Sequence, residues 1–593
     1  MATLDRLSAE LLSEILELIH DSSRHTIFSL LRVNRAISGA ALPFAYRECT
    51  FNFSQNSSQR SSKQTAIRTP LTRSLEKLAS LLEAHREPDS AIWRGVRKVV
   101  VHSDWVVWEG DTSTSRSRDP PFTPSEELVQ ARWGSFVEFL SRVVNLREVV
   151  FDCRERVPLI LLNALEKTHP CCRLHVKDWT RLRSDARAGD PYEEALARSP
   201  CLSSLEARFT TGGYGINFKS SAIERILALS PNLEAMSCTT YTAGSQCVVE
   251  FIDAAQFAEA DREREKFVVA NPVRKSEMRR IRYSSLSSGL IRSWERLFDP
   301  RKVETLNLQA LDNTEWMGYA SDNGLFGGLK HLSFTITHDP RNSSQGLEGF
   351  KAGLADFLDS CFTLESLSVV GYHRYIDLLA VLDRHGETLR SLALHQAESI
   401  EGSRPSPSRG DLDLIRSRAP RLESLEVDVN RTIDPSRNEL EIYSVISSFP
   451  DIRHLAISYD LGVHYEVFHN TSQRSSDPSE AERYLKTYIK IDEDFAREIW
   501  RTVRGKALEE MVIYDGEQYR ETEDYWPCPF WVEQEVTKRQ RFWLTRNERD
   551  DLKDVVSAVK VVRKGRSVLP PLPEFLLPSR ASASGKDSGS SNR

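Results

Sequence analysis

The chain has 593 residues and a net charge of −6, from 79 basic and 85 acidic side chains. Hydrophobic residues make up 40% of it and charged residues 28%, a balance that predicts several folded domains or a repeat array and excludes extensive disorder. The slight acidic surplus disfavours a general binder of nucleic acid or anionic membranes. The sequence has no run of about 18 apolar residues, so a transmembrane helix is not expected.

Residues 4–48 predict three short helices. The first has apolar residues at helical spacing, with Ser8 as its N-cap and Glu10 at its positive end. Two further apolar sets follow, and the last ends near Pro43. Acidic residues interrupt the first set and no cleavage site follows it, so a signal peptide is not expected. Three short helices bury only a small core, so part of this apolar surface is expected to need a partner.

This module resembles an F-box. Residues 7–16 read LSAELLSEIL, close to the usual Leu-Pro-x-Glu-Leu-Leu-x-x-Ile-Leu, and residues 30–35 read LLRVNR, which is similar to the second half of the motif. Ser8 replaces the usual proline, and Ile37 stands where a tryptophan is common. The alternative is a helical cap on the following domain that uses its apolar stripe internally.

The resemblance implies docking on the Skp-type adaptor of a cullin ubiquitin ligase. It assigns eight residues to the interhelical core and the adaptor face taken together: Leu7, Leu11, Leu12, Ile15, Leu16, Leu30, Leu31 and Val33. The sequence does not separate the core residues from those on the adaptor face.

From about residue 90 one pattern returns repeatedly: apolar, two variable, apolar, one variable, apolar. Its copies begin at Val96, Leu146, Leu202, Leu233, Val303, Leu329, Leu364, Leu389, Leu422, Ile452 and, more weakly, Leu508. The segment before most copies has helical periodicity and often closes on Pro or Gly, while the alternating end predicts a short strand with one buried face. The interval from 233 to 303 is 70 residues, which indicates a missed unit or an insertion.

Helix and strand alternating at a period of about 30 residues resemble degenerate leucine-rich repeats. The predicted fold is therefore a small N-terminal all-α F-box followed by an α/β leucine-rich-repeat-like solenoid, because single units must stack to bury their apolar faces. The Asn/Cys ladder position of such repeats is mostly absent, so the arc is expected to be irregular. The alternative is an α/β domain with unrelated Leu-x-x-Leu strings.

The composition divides the chain into four parts. They are the F-box at 1–48, a linker and connecting helix at 49–90, the repeat region with inserted loops at 91–565, and a Pro-rich then disordered tail at 566–593. Residues 256–282, dense in both charges, predict a solvated helix or inserted loop rather than a nucleic-acid-binding helix. Aromatic residues concentrate in 514–543, where they either cap the open end of the repeats or contact a substrate.

Nine cysteines lack the spacing of a disulfide framework or metal site. They are Cys49, Cys153, Cys171, Cys172, Cys201, Cys238, Cys247, Cys361 and Cys528. Their distribution predicts reduced thiols, and hence a cytoplasmic or nuclear protein. Cys171 and Cys172 are adjacent, so they form either a redox pair or inert buried thiols.

The sequence carries no catalytic signature. It has no G-x-S-x-G elbow, no phosphate-binding G-x-x-x-x-G-K-[ST] loop and no H-E-x-x-H pair, so we expect no enzyme activity, cofactor or metal. The family resemblance implies a substrate-recognition subunit of a Skp–cullin–F-box E3 ubiquitin ligase, with an unidentified target protein. A non-catalytic interaction scaffold without a ubiquitination role is the alternative.

Overall fold

A computed structural model gives the architecture. It describes residues 7–22, 24–52, 72–73, 75–87, 90–103, 126–153, 156–179, 191–211, 219–242, 275–284, 286–338, 346–362, 364–396, 404–430, 437–459, 493–505, 507–515, 540–545 and 555–560. The chain divides into two compact units. Unit 1 comprises Met1–Ser284 and Arg292–Val303, and unit 2 comprises Ser285–Ile291 and Glu304–Arg593.

The three predicted N-terminal helices are confirmed. They are α1 (Ala9–Ser22), α2 (Arg24–Leu30) and α3 (Arg35–Ala45). Asn34 caps α3, because its Oδ1 accepts a hydrogen bond of 2.8 Å from the amide of Ile37. Helix α3 continues past Pro43 to Ala45, since a proline near the end removes one helical hydrogen bond without breaking the earlier turns.

Unit 1 carries a parallel sheet. Its strands are β1 (Glu48–Asn52), β2 (Thr72–Arg73), β3 (Lys98–Ser103), β4 (Glu148–Cys153), β5 (Arg173–Trp179), β6 (Leu202–Thr211), β7 (Ala235–Thr242) and β8 (Arg280–Tyr283). β1 pairs with β2 and β3, and from β3 onward each strand pairs with the next in chain order. The helices are α4 (Leu75–Ala84), α5 (Ala91–Gly95), α6 (Glu126–Arg142), α7 (Leu159–Thr168), α8 (Pro191–Arg198) and α9 (Lys219–Leu229). The next helix, α10 (Ser288–Leu297), has its first residues in unit 2 and the rest in unit 1.

Unit 2 repeats this helix–strand order. Its parallel strands are β9 (Thr305–Leu311), β10 (His331–Ile336), β11 (Ser366–Val370), β12 (Ser391–His395), β13 (Ser424–Val429), β14 (His454–Tyr459) and β15 (Glu510–Asp515), each paired with the next. The helices are α11 (Glu315–Asp322), α12 (Gly346–Ser360), α13 (Leu378–His385), α14 (Arg409–Arg418), α15 (Arg437–Ser447) and α16 (Glu493–Val503).

All eleven predicted copies of the repeat pattern lie on parallel strands, which confirms the repeating α/β order. Their middle apolar residues form one buried row across unit 2: Leu306, Leu332, Leu367, Leu392, Leu425, Leu455 and Met511. Because successive strand side chains alternate between faces, the residues on either side of this row point away from the core. The period-2 alternation therefore decides which face each unit buries.

Four parallel strands were not predicted: the two-residue strand β2, which lies in the linker predicted at 49–90, and three longer strands. β1 lies where we predicted a linker at 49–90, β5 follows Cys172, and β8 occupies the end of the charged segment 256–282, where we predicted a helix or loop. Each carries the repeat pattern with a Tyr, Cys or Met in its first apolar position, and Ile281 of β8 is buried opposite Met236. β8 is therefore the missed unit within the 70-residue interval.

The aromatic segment 514–543 is only partly described. Its last residues belong to β16 (Gln540–Thr545), which pairs antiparallel with β15 and with β17 (Val555–Lys560). Phe542 and Leu544 are buried. β16 thus covers the edge of β15, as a cap would. The rest of this segment, residues 53–71 and 243–274, and the tail 566–593 lie outside the described residues.

A close backbone contact joins α3 to α5. A Cβ on Gly95 would lie 2.7 Å from both Cα and the carbonyl oxygen of Pro43, and neither backbone atom can move without shifting its helix. We expect Gly95→Ala to lower stability by about 1–3 kcal/mol through overpacking. Gly39→Ala in α3 is the matched control, because nothing lies within 4 Å of its Cβ position. Urea unfolding of both variants measures the difference, and equal midpoints would contradict the contact.

Candidate protein-interaction surface

The core of the N-terminal helices is built from one face of each helix. Its fully buried members are Leu12, Leu16, Ile27, Ala41 and Ala45. The residues packed partly buried against them include Leu7, Ile19, Leu30 and Leu31. Of the residues assigned to the F-box, Leu7, Leu12, Leu16, Leu30 and Leu31 therefore belong to this core.

The other three residues of that assignment lie outside the core. The side chain of Leu11 is 51% exposed, that of Val33 in the turn after α2 is 58% exposed, and Ile15 is half-buried. Leu18, which the sequence analysis did not select, is 72% exposed. Leu11, Ile15 and Leu18 are spaced i, i+4, i+7 and so share one face of α1, which we call the outer stripe.

Helix α1 thus carries two neighbouring apolar stripes. The core stripe of Leu12, Leu16 and Ile19 is shifted by one position from the outer stripe, which corresponds to a rotation of about 100° around the helix. Together the two stripes make one apolar face that is wider than the part buried against α2 and α3. Exposed single leucines are ordinary, but a row of apolar residues at helical spacing, with exposed leucines at both ends, is typical of a protein-binding surface.

Acidic side chains line the far side of the outer stripe. Glu10, Glu14 and Glu17 recur at helical spacing and are exposed. A hydrogen bond with its own backbone amide and one with Ser8 hold the pKa of Glu10 below its usual value. Ser8 also accepts a 3.4 Å hydrogen bond from the amide of Leu11, as its predicted N-cap role requires. The outer stripe is therefore bordered on this side by charged residues.

Unit 2 holds a buried charged network at the carboxyl ends of three strands. Asp428 of β13 accepts hydrogen bonds of 2.6 Å from Nδ1 of His395 and from the amide of Gln396. The Arg404 guanidinium lies 3.5 Å from the same carboxylate and donates to the carbonyl of Ser458 at 2.6 Å. The side chains of Arg404 and Asp428 are both fully buried. This network fixes the segment at Arg404 to β12, β13 and β14.

A second buried network links α15 to β14. The Tyr443 hydroxyl donates to Oε1 of Glu439 at 2.7 Å, and lies 2.6 Å from the Tyr459 hydroxyl. Burial, then the neighbouring Tyr459 and Glu439, raise the pKa of Tyr443. Tyr443 therefore stays protonated and serves as a hydrogen-bond donor. Both networks join secondary-structure elements rather than present reactive groups.

The cysteine thiols differ sharply in accessibility. Those that the structure describes are free, and Cys171 is exposed while Cys172 is buried. Burial raises the pKa of Cys172 to about 12, of Cys201 to about 11 and of Cys361 to about 12. A thiol must ionise to act as a nucleophile, so these buried thiols are unreactive near neutral pH.

We expect N-ethylmaleimide to label Cys171 rapidly in the native chain near neutral pH and to leave Cys172, Cys201 and Cys361 unmodified. Peptide mapping by mass spectrometry measures the labelling, and the same reaction in denaturant is the control that should modify all four. Equal labelling of Cys171 and Cys172 in the native chain would contradict this expectation and favour a reactive pair.

The chain matches no protein-family model and no curated protein. Across the described ranges, no group of three or more His, Cys, Asp or Glu side chains is placed to hold a metal ion. In the same part of the chain, no helix is both long and apolar enough to cross a membrane. The candidate site of the described structure is the outer stripe, a surface on α1.

Proposed function

We propose that this chain is the substrate-recognition subunit of a Skp–cullin–F-box E3 ubiquitin ligase. Its N-terminal helices bind the Skp-type adaptor, and its α/β units, read as leucine-rich-repeat-like, bind a target protein. One observation carries the proposal: the residues that resemble an F-box separate into a buried core and an exposed outer stripe. A helical cap that used its apolar residues internally would leave no such stripe.

Burial of the outer stripe by a partner would contribute a substantial binding free energy. Burying an apolar side chain of this size contributes about 1.5–3 kcal/mol. Leu18 and Leu11 are more than half exposed, so most of that gain is still available to a partner. A few well-buried apolar anchors commonly supply most of the affinity of an interface.

The first strand residues of unit 2 are polar, and all but the buried Ser424 are partly exposed and so available to a protein target. The first strand residues of unit 2 form a row across the sheet: Thr305, His331, Ser366, Ser391, Ser424, His454 and Glu510. Such hydroxyl, imidazole and carboxylate groups can hold a target by hydrogen bonds, without a covalent reaction. The chain would hold the target near the ubiquitin-carrying enzyme, and proximity would accelerate the transfer.

A tagged pull-down from cells tests the proposal. The wild-type chain is compared with Leu18→Asp and with Leu440→Asp, a matched control on α15 that is 53% exposed and far from the outer stripe in sequence. We expect the wild type and the control to retain both adaptor and cullin, and Leu18→Asp to lose both. Recovery of the adaptor without the cullin would indicate a scaffold outside ubiquitination. Recovery of neither protein with the wild-type chain would refute the ligase assignment.

A further inference from the structure

Three arginines lie side by side at the start of the sheet in unit 1. Arg47, Arg97 and Arg147 each immediately precede a strand, and we call such a residue a leading residue. The carbonyl of Arg47 accepts hydrogen bonds from the amides of Arg97 and Lys98 at 2.9 Å. The carbonyl of Arg97 accepts from the amides of Arg147 and Glu148 at 2.8 and 3.0 Å. The three arginines therefore occupy one row across β1, β3 and β4.

The leading residues of unit 2 neutralise one another instead. In unit 2 they alternate in sign from strand to strand: Glu304, Lys330, Glu365, Arg390, Glu423, Arg453 and Glu509. Ion pairs join them, with 2.6 Å between Arg390 and Glu423 and 3.3 Å between Arg453 and Glu509. Even the next row of unit 1 alternates, through Glu48, Lys98 and Glu148.

The arginine row has little counter-charge. Glu17 of α1 lies 3.0 Å from Nη2 of Arg47, while Nη1 of Arg47 has no hydrogen-bond partner among the described residues. Neither Arg97 nor Arg147 forms an ion pair within the described part of the chain. Burial and then the charges of Arg47 and Arg147 lower the pKa of Arg97, and Glu17 opposes them with a smaller effect. Like charges on neighbouring strands repel, so the row costs stability that a bound anion would restore.

The spacing of the row selects the ligand. Neighbouring strands lie about 4.8 Å apart, so three leading residues span about 10 Å. Guanidinium groups present several N–H donors each and suit phosphate oxygens. A single phosphate is shorter than this row, whereas linked phosphates match its length and charge. We propose that Arg47, Arg97 and Arg147 form a binding site for a ligand with adjacent phosphate groups.

Calorimetric titration of the full chain with tripolyphosphate and with orthophosphate tests the site. We expect saturable binding of tripolyphosphate, tighter than that of orthophosphate. Arg97→Gln should weaken it by about tenfold or more, the loss of one charge-assisted contact. Arg390→Gln is the matched control, because Arg390 holds the same leading position beside a neutralising Glu423, and it should bind like the wild type.

Folding is separated from binding by two further measurements. Removing a repelling charge should leave the melting temperature of unliganded Arg97→Gln no lower than that of the wild type. Arg147→Gln repeats the test at an exposed side chain. No binding of tripolyphosphate, equal affinity for orthophosphate, or equal losses in Arg97→Gln and Arg390→Gln would each overturn the proposal. The test does not depend on the adaptor and so stands apart from the proposed ligase function.

Discussion

Leu18→Asp is expected to abolish binding of the Skp-type adaptor while leaving the chain folded. Leu18 is 72% exposed, so a carboxylate there stays solvated in the free chain. In the complex the same carboxylate would lie in an apolar interface without a partner, which costs several kcal/mol. We expect a loss of affinity of about 100-fold or more, since truncating a central apolar anchor alone commonly costs 2 kcal/mol or more. Calorimetry with purified adaptor and the full chain measures it.

Leu16→Asp separates docking from folding. Leu16 lies two positions before Leu18 but is only 1% exposed, so the substitution places a charge inside the core of α1, α2 and α3. We expect it to lower the melting temperature and the helical circular dichroism signal as well as adaptor binding, whereas Leu18→Asp changes binding alone. Unchanged affinity of Leu18→Asp would contradict the role of the outer stripe.

Asp428→Ala is expected to destabilise the chain by about 3–5 kcal/mol, because it leaves the Arg404 cation buried without its carboxylate. His395 and the amide of Gln396 would also lose their acceptor. Guanidinium unfolding followed by tryptophan fluorescence measures the change. Asp383→Ala is the matched control: it breaks an ion pair with Arg418 whose two side chains are about half exposed, and such pairs contribute at most about 1 kcal/mol.

A double variant shows whether charge or packing is responsible. Arg404→Met combined with Asp428→Leu removes both buried charges, so we expect it to recover much of the stability that Asp428→Ala loses. If Asp428→Ala and Asp383→Ala were equally stable, the buried network would not hold the segment at Arg404 against the sheet.

Sequence periodicity predicted the repeat strands because the alternation of apolar residues is local. The rows at Leu367, Leu392 and Leu425 follow directly from that pattern. β1 and β8 were missed because their pattern includes Tyr, Cys or Met and is therefore weaker. Their burial is decided by the neighbouring strand, as for Ile281 opposite Met236. Strand pairing is a property of the fold rather than of the segment.

The candidate surface was harder to predict than the fold. The eight assigned residues all belong to one apolar pattern, and helical spacing alone does not reveal which edge of a wide stripe faces the neighbouring helices. Packing against Ile27 and Ala41 places Leu12 and Leu16 inside and leaves Leu11 outside. Leu18 could have been found from its i+7 spacing to Leu11. The arginine row joins residues 50 positions apart in the chain, from Arg47 to Arg97 and on to Arg147, so only strand register reveals it.

The most direct test of the account mixes the purified full chain with a purified Skp-type adaptor at about 10 μM, where a specific complex of micromolar or tighter affinity would form. Sedimentation velocity reports the mass of the species, and circular dichroism verifies that the chain is folded. The account predicts a saturable complex of one chain with one adaptor. A folded chain that sediments alone at every adaptor concentration would contradict it.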